Sequence, residues 1–184
     1  IYAAPNTGKT LISLWLMLKV KEEDIIPIFL NADDTYEGAT EKARLLKDSG
    51  VIVLTPNDDG FKPSDFPQII DDLIQDGDAR KVVLLLDTVK QFTSLMNKTE
   101  AAEFGQVIRR FVENGGTAIA LAHTNKHKDG EGKSISAGTS DLTDDCDAAY
   151  VVELNTAFEE SQRQVTFENR KSRGPNAQKV AFTY

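Results

Sequence analysis

Short, unbroken apolar runs alternate along this chain with longer stretches whose apolar positions return every three or four residues. The runs at 24–30, 51–54, 81–87 and 117–122 carry no polar alternation, as expected of strands buried on both faces. Between them, residues 10–19 hold strong helix formers and no breaker, and residues 37–47 continue the helical pattern. Residues 63–75 set Phe66, Ile69, Ile70, Leu73 and Ile74 on one helical face, and a helix over 99–114 ends at Gly115-Gly116. Three later strands are predicted at 148–154, 162–168 and 178–184, with a hairpin around 169–175 and a glycine- and lysine-bearing loop over 126–138. The alternation predicts an α/β fold: a mainly parallel, twisted sheet with helices on both faces and a C-terminal antiparallel hairpin. Nothing reads as a repeat or linker, so residues 1–184 are taken as one domain.

Composition narrows the function classes. The 184 residues are 40% hydrophobic and 27% charged, with a formal net charge of −8. That balance argues against a broad basic face for duplex DNA, while leaving room for a local basic loop. No apolar run is long enough to span a bilayer. The single cysteine, Cys146, has no internal disulfide partner, and the cytoplasm is the expected compartment.

The chemistry gathers at the start. Ala3-Ala4-Pro5-Asn6-Thr7-Gly8-Lys9-Thr10 fits the phosphate-binding loop pattern G-x-x-x-x-G-K-[ST], with Ala3 in place of the first glycine. Such a loop turns consecutive backbone N–H groups toward an anion, and the following helix points its positive end the same way. Ala4, Pro5, Asn6, Thr7 and Gly8 would form the cradle for ATP, with Lys9 on the β- and γ-phosphates and the Thr10 hydroxyl on Mg²⁺. A loop of this kind needs a strand leading into it. That strand is missing or nearly so, and the chain reads as a core clipped at its N-terminus.

In open parallel sheets, ligands sit at the carboxyl ends of the strands. Asp87 closes the most apolar run and has the form of a Walker B carboxylate, a second metal-site residue. Asp33 or Asp34, at another strand tip, would orient the attacking water; a solvated acidic turn is the other reading. His123 is either a γ-phosphate sensor or a polar strand end. Lys126, Lys128 and Lys133 either touch a nucleic-acid backbone or decorate a solvated loop. Arg170, Lys171 and Arg173 form a cationic hairpin tip, which alone reads equally as a charged turn or as an arginine finger.

Together these residues resemble the RecA-like ATPases of the replicative-helicase branch, RepA-like and DnaB-type. The likeness runs through residues 3–10, Asn31-Ala32-Asp33-Asp34, Val83-Leu84-Leu85-Leu86-Asp87-Thr88 and Ala122-His123-Thr124-Asn125-Lys126. It continues in Ser136-Ala137-Gly138-Thr139-Ser140-Asp141-Leu142-Thr143-Asp144 and in Lys171-Ser172-Arg173-Gly174-Pro175. The resemblance implies a ring-forming homo-oligomer, a hexamer in that family, hydrolysing Mg-ATP to move along single-stranded DNA. It assigns Lys9 and Thr10 to phosphates and Mg²⁺, Asp87 to Walker B and His123 to γ-phosphate sensing. It further implies a DNA-facing pore loop at Lys126, Lys128 and Lys133, and contact of Lys171 and Arg173 with the next subunit's nucleotide. Three positions depart from the pattern: Asp33 where the family carries Glu, Ala3 for glycine, and Ala137 where the RepA-like pattern has an arginine. A regulatory or recombination-mediator ATPase of RecA/KaiC type is the alternative. A P-loop kinase would show an arginine-rich lid, and a GTPase an aspartate that Asn125-Lys126-His127-Lys128 lacks.

Overall fold

The computed structural model describes residues 1–20, 24–56, 60–128, 134–136, 143, 145–155 and 162–184. In chain order the elements are β1 (Tyr2–Ala3), α1 (Lys9–Lys19), β2 (Ile26–Asn31), α2 (Tyr36–Leu46), β3 (Ile52–Leu54), α3 (Phe66–Gln75), β4 (Val82–Asp87) and α4 (Lys98–Glu113). They continue with β5 (Thr117–Lys128), β6 (Ser134–Ser136), β7 (Ala148–Asn155), β8 (Gln164–Ser172) and β9 (Lys179–Thr183). Contacts divide the chain into two compact units, Ile1–Lys9 with Ala122–Tyr184, and Thr10–Leu121. The architecture is α/β, and its strand pairings are mainly parallel.

The unit Thr10–Leu121 is built outward from β4, every residue of which is buried. Its neighbours are β2 and β5, both parallel, and β3 extends the ladder beyond β2. A strand with parallel partners on both edges needs an apolar side chain at every position, which the run Val82 to Leu86 supplies. Leu84, Leu85 and Leu86 are fully buried together with Phe29 and Leu30. The rings of Phe66, Phe92 and Phe104 cluster with centroids 5.5–6.4 Å apart. Helix α3 starts later than its apolar pattern predicts: a 3-10 turn at Pro63–Asp65 precedes Phe66, with proline within the first two helical positions. Helix α4 ends where Gly115 takes φ 90°, a left-handed closing residue. A Cβ on Gly116 would come within 2.4 Å of the Phe111 ring, so that position has room only for hydrogen. The Asn97 side chain caps α4 through the N–H groups of Thr99 and Glu100. Asn97→Ala is expected to cost about 1 kcal/mol, read as a lower urea midpoint at unchanged slope.

In the other unit, two-residue β1 lies between β5 and β7, parallel to both. This two-residue strand, Tyr2–Ala3, leads into the loop at residues 4–8. Antiparallel β7, β8 and β9 follow, and the C-terminal hairpin of the sequence reading is found here. Val165 is fully buried, and Phe167 stacks edge-on against Phe182 with centroids 5.5 Å apart.

Two sequence-based boundaries are corrected. Strand β5 does not stop at Ala122 but runs to Lys128, and β6, inside the stretch read as a loop, pairs antiparallel with it. Hydrophobic patterning carries no signal for a backbone pairing of this kind. Strand β8 likewise extends to Ser172, through residues read as turn. No helix among the described residues is long and apolar enough to cross a membrane.

Candidate functional site

Within the unit containing residues 1–9, the loop leaves β1 at Ala3, which is fully buried. Ala3 is a strand residue without positive φ, so the missing first glycine costs the backbone nothing here. Ala4, Pro5 and Asn6 are exposed, Thr7 is buried, and Gly8 and Lys9 are half-buried. The Thr7 hydroxyl donates to the Ala4 carbonyl at 2.6 Å and closes the loop on itself. Asn6 and Gly8 take φ of 62° and 85°, values that asparagine and glycine tolerate best. A Cβ at Gly8 would lie 2.0 Å from the Tyr184 hydroxyl, which itself donates to the Thr7 carbonyl at 3.2 Å. Lys9 opens α1, and among the described residues its ammonium forms no ion pair. A half-buried lysine whose ammonium has no carboxylate partner among the described residues, beside a loop of turned backbone, suits a polyanion.

His123 lies on β5 in register with Ala3, at the root of the loop. Lys171 lies on β8 opposite Ala149. Arg173 follows the end of β8; its N–H donates to the Asp147 carbonyl at 2.8 Å, and its guanidinium stands 3.7 Å from the Asp147 carboxylate. Arg170 pairs with Glu168 at 3.4 Å. The tip is ordered by Ser172, whose hydroxyl accepts from the Asn176 amide at 2.8 Å and donates to the Gly174 carbonyl. Lys126 and Lys128 belong to the β5 backbone rather than to a loop. Lys133 and Ala137 lie outside the described residues.

Within the unit Thr10–Leu121, the Thr10 hydroxyl donates to Asp87 Oδ2 at 2.7 Å. Asp87 ends β4 and is buried. Asn31 ends β2 as its register partner, so both side chains leave the same sheet face. Asn31 is 2% exposed; its amide donates to Asp34 at 2.8 Å, and among the described residues its Oδ1 has no hydrogen-bond partner. The Ala32 N–H donates to the Asp87 carbonyl at 2.8 Å and locks the two strand ends together. Asp34 also receives the Lys42 ammonium. Asp33 Oδ1 accepts from Gln91 at 2.6 Å and pairs with Lys90 at 2.9 Å. Next to Asp87, fully buried Thr88 donates to the Leu121 carbonyl at 2.6 Å.

A hydroxyl and one buried carboxylate, both hard oxygen donors, suit Mg²⁺, which takes one or two protein ligands and fills its shell with phosphates and water. Among the described residues no group of three or more His, Cys, Asp or Glu side chains is placed to hold a metal by itself. Asp33 and Asp34 are not a free acidic turn, because each is tied to a lysine. Sequence reading missed Asn31, Lys42, Lys90 and Gln91 as partners of these carboxylates, and Tyr184 as a neighbour of the loop. Lys90 and Gln91 were within reach of it, since they follow Asp87 by one turn. Tyr184, 177 residues from Thr7, had no signal at all.

No protein-family model matches the chain, and no curated protein matches it.

Proposed function

We propose that the protein is a RecA-like, Mg-ATP-dependent motor ATPase: a ring-forming replicative DNA helicase of RepA-like type that works on single-stranded DNA in the cytoplasm. The observation that carries the reading is the 2.7 Å hydrogen bond from Thr10 to Asp87. These are the two residues that the phosphate-loop and Walker B patterns nominate independently, and 77 positions separate them. Bound Mg²⁺ would neutralise charge on the β- and γ-phosphates. Thr10 would ligate it, and Asp87 would hold one of its waters. The loop N–H groups and Lys9 bind the phosphates, and Asp33 accepts the proton of the attacking water. The RecA-like and ring-forming parts of the reading draw on the sequence resemblance.

Asp33→Asn is expected to keep Mg-ATP affinity while lowering the hydrolysis rate by about a hundredfold, measured by phosphate release. An unchanged rate would move the base role to Asp34 or remove it from this strand tip. The assembly is tested by particle size with and without Mg-ATP and a single-stranded oligonucleotide, with ATP turnover followed in parallel. A ring that forms with both, and turnover that rises with the oligonucleotide, supports the helicase. A particle that stays monomeric under every condition overturns it.

One observation favours a second reading, a slow RecA/KaiC-like regulatory or recombination-mediator ATPase. Asp33 is a shorter carboxylate than the family's glutamate, and its Oδ1 is held by both Lys90 and Gln91. ATP-dependent assembly without strand separation would select this reading.

A further inference from the structure

We infer that Tyr184 is a positioning residue for the phosphate loop, acting through its hydroxyl on the Thr7–Gly8 peptide; the inference rests on the nucleotide reading above. The Tyr184 hydroxyl donates to the Thr7 carbonyl at 3.2 Å. It also occupies the space a Gly8 side chain would fill, 2.0 Å from where that Cβ would stand. The Thr7–Gly8 peptide is not among the cis bonds, so its C=O and N–H point in opposite directions. A phenol that fixes the carbonyl on one side therefore turns the Gly8 N–H out on the other. That N–H is one of the donors a phosphate loop must aim at its anion. The Ala4–Pro5 peptide at the start of the loop is set separately, by the Thr7 hydroxyl donating to the Ala4 carbonyl.

The phenol is itself firmly placed. The Tyr184 N–H donates to the Arg163 carbonyl and the Arg163 N–H to the Tyr184 carbonyl, both at 2.8 Å. This pair continues the β8–β9 ladder, whose register runs from Gln164↔Thr183 to Glu168↔Lys179. At the other end of the same hairpin stands the turn that carries Arg173. One two-stranded ribbon thus carries the cationic tip at one end and holds the loop at the other.

The test is Tyr184→Phe, which keeps the ring and removes only the hydroxyl. Two ligands are titrated into the full chain, Mg-ATP and inorganic tripolyphosphate, and the Gly8 amide is followed by NMR. Both ligands are expected to bind about fivefold more weakly, with a shifted and faster-exchanging Gly8 amide before ligand is added. Equal affinity of variant and wild type for both ligands overturns the inference. So does a loss confined to ATP, which would mean that the hydroxyl serves the nucleoside instead of the loop. If wild type takes neither polyphosphate, the nucleotide reading falls and this inference falls with it; wild-type binding with an indifferent variant removes the inference alone.

Discussion

Lys9→Ala protein is expected to bind Mg-ATP on the order of a hundredfold more weakly than wild type, with its fold unchanged. The size follows from removing one partner of a charge pair in a partly desolvated site, where such truncations cost about 2–5 kcal/mol. The fold is spared because the Lys9 ammonium forms no ion pair among the described residues, and alanine at the first position of α1 is a good helix former. Titration with a fluorescent ATP analogue, beside a thermal melt of the apo protein, separates binding from folding. Wild-type affinity in the variant would end the nucleotide reading, because no other cation follows the loop so directly.

The second large effect concerns Arg173. Arg173→Ala is expected to lower ATP hydrolysis on the order of a thousandfold, the scale of losing a transition-state arginine. Within its own chain Arg173 faces Asp147 at 3.7 Å, with both side chains about half exposed. A pair that open is worth less than about 1 kcal/mol and is readily exchanged for a phosphate. If the phosphate belongs to a neighbouring subunit, turnover per molecule rises with protein concentration. Mixing Arg173→Ala with Lys9→Ala protein then restores part of the activity each lacks, since an intact loop can meet an intact arginine. Mixed assemblies are verified first by tagging the two variants differently. Mixed rings that stay inactive, with wild-type turnover independent of concentration, would exclude a shared site.

Much of this molecule was legible because its strands are buried on both faces. The run from Val82 to Leu86 has no polar residue, and no placement other than a central strand accommodates it. The turn chemistry at Gly8 and Gly115 was readable for a similar reason, since glycine is favoured by particular backbone shapes. The polar strand from His123 to Lys128 was not readable: its partner supplies backbone hydrogen bonds, which leave no trace in side-chain hydrophobicity. The acidic tip at Asp33 and Asp34 was seen as charge, but its neutralisation by Lys90 and Lys42 depends on where a 3-10 turn and a helix return. Ala3 looked like a defect in the loop pattern. As a strand residue it has no need of glycine's freedom, so the departure is conformationally silent.

The position of β1 has a consequence for how the chain comes together in time. Tyr2 and Ala3 pair with Ala122 and His123 on one side and with Val151 and Val152 on the other. Loop closure over such separations is costly, and contacts of that span form late. Residues 10–121, by contrast, are contiguous and carry their own core. Tyr2 and Ala3 are therefore expected to gain their strand partners after the elements within residues 10–121 have gained theirs. The Tyr184 contact with Thr7, across 177 positions, is of the same late kind. Under the nucleotide reading, competence to hold the ligand then follows the slowest pairings: while β9 is unpaired, the loop has its lysine but not the hydroxyl that braces it.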